Sequence, residues 1–451
     1  MSGGDDRGNP AVPALAAFAA RAEATMNGVP PDALHAARRC LVDWLGVACA
    51  GMDEPPLRIV AAALGAARGP ASRLGDPALP APADALLMGT AGHVHDYDDT
   101  DYVNLVHVSA SVVPALVAVA RRHPVTGEAF LRALVAGYEM EAALGHFLGR
   151  PLTARGWHVS GVLGHAGAAL AAALGMRLPS AQAAHAMAVA MTGGAGFIGA
   201  FGTMSKSLQL GRTAAGGVLA ARLAAGGFTG PVGLLDAEVG YADTLVGAHL
   251  TGWRDVAARW GAPYAIMANS FKPHASCMIT HAAVDAAIAI HAALARAGAG
   301  WRDVAAIACR VNVLAPKVAG IAVPATGLQG KFSVAYCVAA GLLDGHATPA
   351  AFADAAVARE SVRHLLARTQ VSVDASVGEQ QADVTVTTAD GRAWHQRTAI
   401  ARGNPANPMT DEDLGRKFAA LVPANAAAML ADLWRFDRIP DAGAWLRAHF
   451  D

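Results

Sequence analysis

The densest group of side chains that could do chemistry lies between residues 93 and 101. Two histidines and four aspartates fall within these nine residues, in the run His93-Val94-His95-Asp96-Tyr97-Asp98-Asp99-Thr100-Asp101. Only 16% of the chain is charged, so such a cluster is unusual here. Imidazoles and carboxylates can bind a metal ion, sit in a solvated loop, or build a metal-free acid–base site in which acids orient a histidine. We favour the metal-free site, because no matching HxxxE or CxxC spacing follows.

Three further polar residues stand in apolar surroundings, namely His107, His158 and Lys206. A lone histidine in such a setting is more often a hydrogen-bonded core residue than a functional one. A buried ammonium group, in contrast, needs a partner, because burying it alone is costly. Lys206 is therefore expected to hold an anionic ligand or an internal carboxylate. The loosely metal-like set His274, Cys277 and His281 lacks a fourth ligand, so we interpret it as structural.

Helices are predicted to position most of these residues. Apolar residues recur at helical spacing from Asp32 to Gly51, and a second such pattern begins at Thr126-Gly127-Glu128. Alanine-rich segments at 165–176 and 213–225 have strong helix propensity and let helices pack closely. The uncharged stretch 178–205 is interpreted as a buried helix that runs into a glycine-rich loop, not as a membrane span. These patterns predict a helical core.

The pattern changes after about residue 265. Alternating apolar residues predict strands at 307–313, 371–373 and 384–386, and Asp390-Gly391 predicts a hairpin turn. Helical stretches are predicted at 331–343 and 350–366, and Thr410 with Asp413 forms a capping box that starts the closing helices. The predicted fold class is mainly α with a smaller α/β domain. The predicted domains are a helical domain built from residues 1–265 and 403–451, and an inserted α/β lid domain at 266–402.

Composition excludes several classes of function. Lys and Arg number 35 against 36 Asp and Glu, and no basic run occurs, so nucleic-acid binding is not expected. Five scattered cysteines without a CxxC pair argue for a reducing compartment. The N-terminal segment 1–15 begins acidic and rich in glycine and proline, the reverse of a secretory signal. We therefore expect a cytoplasmic protein with no nucleic-acid or membrane partner.

Five blocks of sequence occur in an order typical of one family: 92–100 with His107 and 114–116, then 156–164, 202–212, 271–281 and 330–345. The first resembles the His-x-x-Asp-Phe/Tyr-Asp-Asp-Thr … His-Pro-Ser … Pro-Ala-Leu block of the 2-methylcitrate dehydratase (MmgE/PrpD) family. The second and third resemble that family's Gly-Phe/Trp-His-Pro and Gly-Thr-x-x-Lys-Pro-Leu-His-x-Gly-Arg blocks. The last two resemble further blocks, so the resemblance covers nearly the whole chain.

The resemblance implies a helical core with an α/β lid, a homodimer, and chemistry on small di- or tricarboxylates without a metal or another cofactor. It maps the family's site onto Asp96, Thr100, His107, His158 and Lys206, with Arg212, Lys272 and His93 as additional substrate-binding residues. On this basis His107 is the base or proton donor at carbon, and His158 is the partner acid. Lys206 and Arg212 clamp carboxylates, Thr100 hydrogen-bonds the substrate, and Asp96 orients a histidine.

Departures from the family pattern bear on the substrate. Val108 stands where the family has proline after the histidine, and the preceding loop 102–106 is apolar. Ser207 replaces a proline, Gln209 replaces a histidine, and Met278 stands where an arginine often binds carboxylate. The lid tyrosine of the decarboxylase has no clear counterpart near residues 316–319. Fewer polar groups predict a substrate with fewer carboxylates or with an apolar substituent.

Three functions follow from the resemblance. The leading one is a dehydratase, a hydro-lyase acting on a hydroxy di- or tricarboxylate of the 2-methylcitrate kind. An epimerase of an iminodisuccinate-like dicarboxylate comes second, because residues 326–333 resemble the epimerase's lid segment, and a cis-aconitate-type decarboxylase loses weight from the departures above. A ligand-binding homologue without catalysis is the alternative from another class, and the presence of Asp96, His107, His158 and Lys206 argues against it.

Overall fold

The computed structural model describes residues 12–66, 74–422 and 424–451. Most of these residues form helices, and the strands of the described part form a single four-stranded sheet. The prediction of a mainly α fold with a smaller α/β region is confirmed. Residues 1–11, which carry most of the N-terminal segment used above to predict a cytoplasmic protein, lie outside the described residues.

The first part of the chain is helical. Its helices are α1 Ala14–Thr25, α2 Pro31–Gly51, α3 Pro55–Ala63, α4 Ala81–Val94, α5 Val108–Ala120, α6 Gly127–Ala154, α7 Val159–Gly175, α8 Ser180–Met191, α9 Ser205–Ala225, α10 Tyr241–Val246 and α11 Trp253–Ala258. The helices predicted from Asp32 and from Thr126 are α2 and α6, and the Thr126 side chain caps α6 by accepting from the Ala129 N–H. The uncharged stretch forms α8 and then a loop rich in glycine, as predicted.

Close packing of α4 against α9 brings two parts of the site together. A Cβ on Gly211 of α9 would lie 2.3 Å from Thr90 Oγ1 and 2.4 Å from the Leu86 carbonyl oxygen of α4. Only glycine permits this approach without displacing backbone. The first turn of α9, with Lys206, is thereby held beside the end of α4 and the His93–Asp101 segment.

The α/β part follows. Its elements are α12 His281–Arg296, β1 Val304–Val311, α13 Ala315–Ala319, α14 Gly327–Gly330, α15 Val334–Asp344, α16 Asp354–Val357, α17 Glu360–Leu366, β2 Thr369–Val373, β3 Ala382–Thr388 and β4 Ala393–Thr398. The sheet order is β2-β1-β3-β4, with β1 parallel to β2 and antiparallel to β3. The predicted strands and the hairpin at Asp390-Gly391 are confirmed. The chain closes with α18 Asp411–Leu421, α19 Ala426–Leu433 and α20 Ala442–Phe450, and the Thr410–Asp413 capping box is present.

The prediction of a helical stretch over residues 350–366 is wrong, because the segment is broken into three short elements. A 3-10 turn at Pro349–Phe352, α16 and α17 replace it, because Ala353 and Arg359 have extended backbone. The Asp354 carboxylate accepts from the Gly327 N–H, and Gly327 lies against the Phe352 carbonyl so closely that a Cβ would overlap it. Docking of α14 therefore breaks the helix, and the alanine-rich sequence carries no sign of this tertiary contact.

One helical segment of the described chain, Met278–Arg296, is long and apolar enough to cross a membrane by length and composition alone. Of its most apolar window, 61% is buried inside the protein. The helix in this segment, α12, packs against α15, β3 and β4. Burial of this kind is typical of a core helix.

The two largest of four apolar clusters follow the two parts of the described chain, and a third, smaller cluster joins Val47 and Tyr97 to Val284 and Tyr336. The larger one runs through the helices of the first part and includes Phe271 and the closing helices from Met409 to Phe450. The second one joins α12, α15 and the sheet, from Ile279 to Ala401. Along the chain, membership passes from the first cluster to the second near residues 271–279 and back near residues 401–409. These positions are close to the predicted domain boundaries at 265/266 and 402/403, which stay a prediction.

Candidate active site

A cavity between the helical part and the α/β part collects most of the residues predicted to do chemistry. Its polar end is formed by Asp96, Thr100, His107, His158, Lys206 and Lys272. The rest of the lining is largely apolar: Tyr102, Leu105, Thr153, Trp157, Val159, Ile198, Phe201, Cys277, Met278, Ile279, Leu314, Val318 and Phe332. About 680 Å³ inside the cavity and its mouth is free of protein atoms, a volume that includes the open solvent at the mouth.

Helix ends and one short bridge position the polar side chains. His107 and His158 directly precede α5 and α7, and Lys206 is the second residue of α9. Asp96 follows α4 with a φ of 48°, a left-handed conformation that aspartate tolerates better than most residues. Thr100 and Ser270 exchange two backbone hydrogen bonds of 2.9 Å, which brings the segment carrying Lys272 to the same place.

Asp96 binds two ammonium groups. Its Oδ1 accepts from Lys206 Nζ at 3.0 Å and from Lys272 Nζ at 2.9 Å, and Lys272 Nζ also donates to the Asp96 carbonyl at 3.0 Å. Burial disfavours the charged form of Asp96, but the two lysines outweigh it and hold the carboxyl pKa well below its usual value. Burial likewise lowers the pKa of Lys272, and Asp96 and Asp98 reverse this and raise it. The internal carboxylate expected for Lys206 is therefore Asp96.

Asp98 connects two histidines. Its carboxylate lies 2.9 Å from His93 Nδ1 and 3.0 Å from His107 Nδ1, and Lys206 Nζ lies 2.6 Å from His93 Nε2. Burial raises the pKa of Asp98, but His93 and His107 more than offset it, and the net pKa lies well below the usual value. Burial lowers the pKa of His93 to about 4 and also lowers that of His107, where Asp98 opposes the shift. Both rings are neutral at pH 7.

His158 is held by one nitrogen only. Its Nδ1 lies 2.6 Å from Gln209 Oε1, whereas Nε2 is buried and has no hydrogen-bond partner among the described residues. Burial, followed by repulsion from Lys206, lowers the His158 pKa well below its usual value. A neutral ring with an unsatisfied nitrogen beside a cavity is a group available to a ligand.

The structure changes the assignment of several residues. Asp98, not Asp96, orients His107, and Gln209 orients His158. His93 is buried behind the cavity with both ring nitrogens bonded, so it does not reach a substrate. Asp98 was not among the predicted site residues. Its position two residues after Asp96, in the same acidic run, was a usable sequence signal, but which carboxylate meets which partner depends on the fold.

Arg212 does not reach the cavity either. Six residues along α9 rotate the side chain by about 240° from Lys206, and Arg212 is exposed on the outer face. Cys277, interpreted above as structural, does line the cavity, and burial raises its thiol pKa to about 11. His274 and His281 bind Asp285 and the Ser276 carbonyl, as structural residues do.

The donor set His93, Asp96, Asp98 and His107 is close enough to hold a metal ion, with one ligand atom of each lying within 4.8 Å of the others. Lys206 Nζ, however, contacts two of these residues and Lys272 Nζ contacts one. A divalent cation would meet two ammonium groups at the same carboxylate, so these residues do not fit a metal. The prediction that none is needed stays a prediction.

Models of two domains match this chain: the MmgE/PrpD N-terminal domain over residues 14–253 and the MmgE/PrpD C-terminal domain over residues 274–431. The chain belongs to the MmgE/PrpD family. The first match ends before the cavity-lining segment at Lys272–Ile279, and the second contains Cys277 to Phe332. The cavity of this MmgE/PrpD protein thus receives side chains from both matched regions.

Three proteins with similar sequences are named cis-aconitate decarboxylase. Cis-aconitate decarboxylase of Homo sapiens is 29% identical over 374 residues, covering 79% of this chain and 75% of the human protein. The Mus musculus protein of the same name is 27% identical over 368 residues, covering 78% and 73%. That of Aspergillus terreus is 27% identical over 229 residues, covering 48% and 46%. The family resemblance stated from the sequence is confirmed.

Proposed function

We propose that this chain is a cofactor-independent lyase that acts on a small carboxylate, with removal of water from a hydroxy di- or tricarboxylate as its leading reaction. The observation that carries this proposal is the His107 ring, held from behind by Asp98 while its other nitrogen is left to the cavity beside two lysines. Chemistry next to a carboxylate needs a base for a weakly acidic C–H and positive charge for the resulting enediolate.

The hydrogen bonds support His107 as the base. An ionised Asp98 can only accept, as can the Asp99 carbonyl 3.2 Å from His107 Nδ1, so Nδ1 must carry the proton. The Nε2 atom then has a free lone pair. Asp98 stabilises the imidazolium that forms when Nε2 takes the proton from the carbon, in the manner of a buried His–Asp pair.

Two lysines supply the positive charge. Each ammonium group has three N–H donors, and two of them are used within the described structure, by His93 and Asp96 for Lys206 and by Asp96 alone for Lys272. One N–H of each lysine is left for a substrate carboxylate. As the α-proton leaves, both hydrogen bonds strengthen, since negative charge grows on the carboxylate oxygens.

Loss of the β-hydroxyl needs a proton donor, and His158 is the candidate. With Gln209 Oε1 as acceptor, the proton of neutral His158 sits on Nδ1 and the cavity-facing Nε2 cannot donate. Rotating the Gln209 amide so that its NH2 group donates to Nδ1 places the proton on Nε2; the two orientations have the same shape. We propose that catalysis uses the Nε2–H form, which gives its proton to the hydroxyl as the C–O bond breaks and water leaves. The imidazolate so formed is reprotonated as the His107 imidazolium gives up the proton taken from carbon, so the elimination releases water and no net proton.

Decarboxylation of a cis-aconitate-like substrate is the second candidate, supported by the names of the relatives. In that reaction a C–C bond breaks, CO2 leaves, and the carbanion must receive a proton. The side chain that supplies this proton must therefore be protonated at the start. The lone pair on His107 Nε2 favours proton removal instead. Epimerisation of an iminodisuccinate-like dicarboxylate needs the same base with a proton returned on the other face, and it stays the third candidate.

Proton NMR in D2O with 2-methylcitrate, citrate, cis-aconitate and iminodisuccinate tests these reactions. A dehydratase loses the α-proton signal and gains an olefinic product, an epimerase exchanges the proton with inversion, and a decarboxylase releases CO2. We expect His107→Ala and Lys206→Ala to abolish the reaction while remaining folded by circular dichroism. Near-native turnover in either folded variant would contradict the assigned roles.

The family resemblance further supports a homodimer, and the sequence supports a cytoplasmic location without nucleic-acid or membrane partners. Both are proposals. Light scattering coupled to size-exclusion chromatography measures the first, with about twice the 45.8 kDa chain mass expected, and fractionation of the native cell measures the second.

A further inference from the structure

We propose that the cavity takes a carboxylate with at most two carboxylate groups and an apolar substituent, in preference to a tricarboxylate. This inference rests on the proposed function for the identity of the site, and it goes further by naming the class of substrate. It follows from the charges and from the walls of the cavity.

The charge at the polar end is too small for a trianion. Among the described residues, the ionised groups that line the cavity are Lys206, Lys272 and Asp96, which leaves one net positive charge. Asp98, 3.0 Å behind His107, offsets this charge, and the histidines are neutral. Buried Lys331, whose pKa burial lowers to about 8, adds a positive charge that interacts with both Asp96 and Glu54. A tricarboxylate would bring three negative charges to a group with at most one net positive charge, and burying the unpaired remainder is strongly unfavourable.

The number of donors gives the same limit. One N–H of each lysine is left, and the two ammonium groups share one Asp96 oxygen, so they lie close enough to serve one carboxylate together or two singly. Among the described residues the lining contains no arginine, the residue that binds carboxylates with two parallel hydrogen bonds. A third carboxylate would find no further cationic donor among these lining residues.

The rest of the lining is suited to hydrocarbon. Met278, Ile279 and Phe332 are each at most 5% exposed and present apolar side chains to the cavity, and Leu314 and Val318 extend this wall along α13. A carboxylate pressed against these side chains loses its hydration without any replacement. A ligand with an alkyl group at this position binds about fourfold more tightly for each methylene that it buries.

The loop opposite this wall holds a leucine in place. Leu105 has a φ of 60°, a conformation rarely adopted by leucine, and its side chain lines the cavity. The preceding Asn104 fixes the loop: its amide donates to Asp101 at 2.7 Å, and its carbonyl lies where a Cβ on Gly149 would be only 2.5 Å away. Backbone strain held by such contacts is typical of functional sites, and here it aims an apolar side chain at the ligand.

Two ligands of similar shape test the proposal. Tricarballylate is succinate with a carboxymethyl group, and isobutylsuccinate replaces the third carboxylate by an isopropyl group of about the same size. We expect isothermal titration calorimetry of the wild-type protein to give at least tenfold tighter binding of isobutylsuccinate, and methylsuccinate to lie between succinate and isobutylsuccinate. Equal or tighter binding of tricarballylate, or binding of neither ligand at millimolar concentration, would overturn the proposal.

A pair of adjacent variants locates the effect. Leu314→Arg adds a cation to the apolar wall, whereas Val313→Arg adds the same charge to a neighbouring residue that is 49% exposed and outside the cavity. We expect Leu314→Arg to tighten tricarballylate at least tenfold and weaken isobutylsuccinate, and Val313→Arg to change both by less than twofold. If Leu314→Arg does not fold, Val318→Arg on the same wall replaces it. Unchanged selectivity in the folded wall variant counts against the proposal.

These binding measurements need no turnover, so they separate the two proposals. For this comparison the panel is extended by malate and 2-isobutylmalate, which are hydroxy dicarboxylates. Tight isobutylsuccinate binding without α-proton exchange on any substrate of the extended panel would reject the lyase and keep the ligand class. Turnover of a tricarboxylate combined with preferred tricarballylate binding would reject the ligand class and keep the lyase.

Discussion

Asp98→Asn is the sharpest test of the site, because one carboxylate serves two histidines at 2.9 and 3.0 Å. Lys206 donates to His93 Nε2, which keeps the His93 proton on Nδ1. Both histidines contact Asp98 Oδ2, and His93 Nδ1 also lies 3.0 Å from Oδ1. When the asparagine oxygen takes the Oδ1 position to accept from His93, the NH2 group takes the Oδ2 position and faces His107 Nδ1, which must become an acceptor. The proton of His107 moves to Nε2, and the lone pair that would take the substrate proton is lost.

The expected loss is large. Replacing the carboxylate of a buried His–Asp pair by its amide lowers kcat by about 10⁴ when the histidine tautomer is inverted. Here the Asp99 carbonyl, 3.2 Å from His107 Nδ1, still favours the original tautomer. We therefore expect a loss on the order of 10³ in kcat, in the middle of the range for general-base catalysis. The two lysines proposed to bind substrate are untouched, so KM should change by less than about threefold.

The assay is the rate of α-proton exchange in D2O as a function of pH, with the substrate that the panel above identifies. Asp98 raises the pKa of His107 against the lowering effect of burial, so the residual activity of Asp98→Asn should have its acidic limb at lower pH than that of the wild type. Asp84→Asn is the matched control, because Asp84 is as buried as Asp98 and its carboxylate is also paired, with Arg121 and Arg122, but it lies outside the cavity. A kcat for Asp98→Asn within tenfold of the control would refute the assignment of His107 as a base oriented by Asp98.

Three further predictions concern residues outside the cavity surface. Gln209→Leu removes the partner of His158 Nδ1, and kcat should fall by about 10² with little change in KM; an unchanged kcat would remove His158 as the acid. Arg212→Ala should leave kcat/KM within about twofold, since Arg212 is exposed away from the cavity, and a tenfold rise in KM would restore it as a carboxylate clamp. Burial, followed by Asp43, raises the pKa of Asp99 to about 7, so folded protein binds more protons than unfolded protein between pH 4 and 7, and this group lowers stability as pH rises. The Tm of Asp99→Asn relative to wild type should therefore increase from pH 5 to pH 8, and parallel Tm curves would show that Asp99 does not titrate there.

Local sequence determined the elements of this protein. The repeat of apolar residues from Asp32 to Gly51, the Thr126 cap and the alternation in β1 and β3 each reflect interactions within a few residues or one buried face, so α2, α6 and the strands were predictable. The residue types of the site were visible as well, because a lysine and histidines in apolar surroundings must have partners. The five family blocks, in their order along the chain, indicated which of these residues belong to one site.

The tertiary structure alone decided which partners meet. Asp96 and Asp98 are two residues apart, yet one binds the lysines from α9 and from the segment at 272, and the other binds histidines on both sides. Arg212 is turned outward by the rotation of α9, although it stands in the same sequence block as Lys206. The apolar lining of the cavity combines segments more than 200 residues apart, from Leu105 to Phe332. Such contacts depend on helix rotation and on packing distances like that at Gly211, which sequence spacing does not encode.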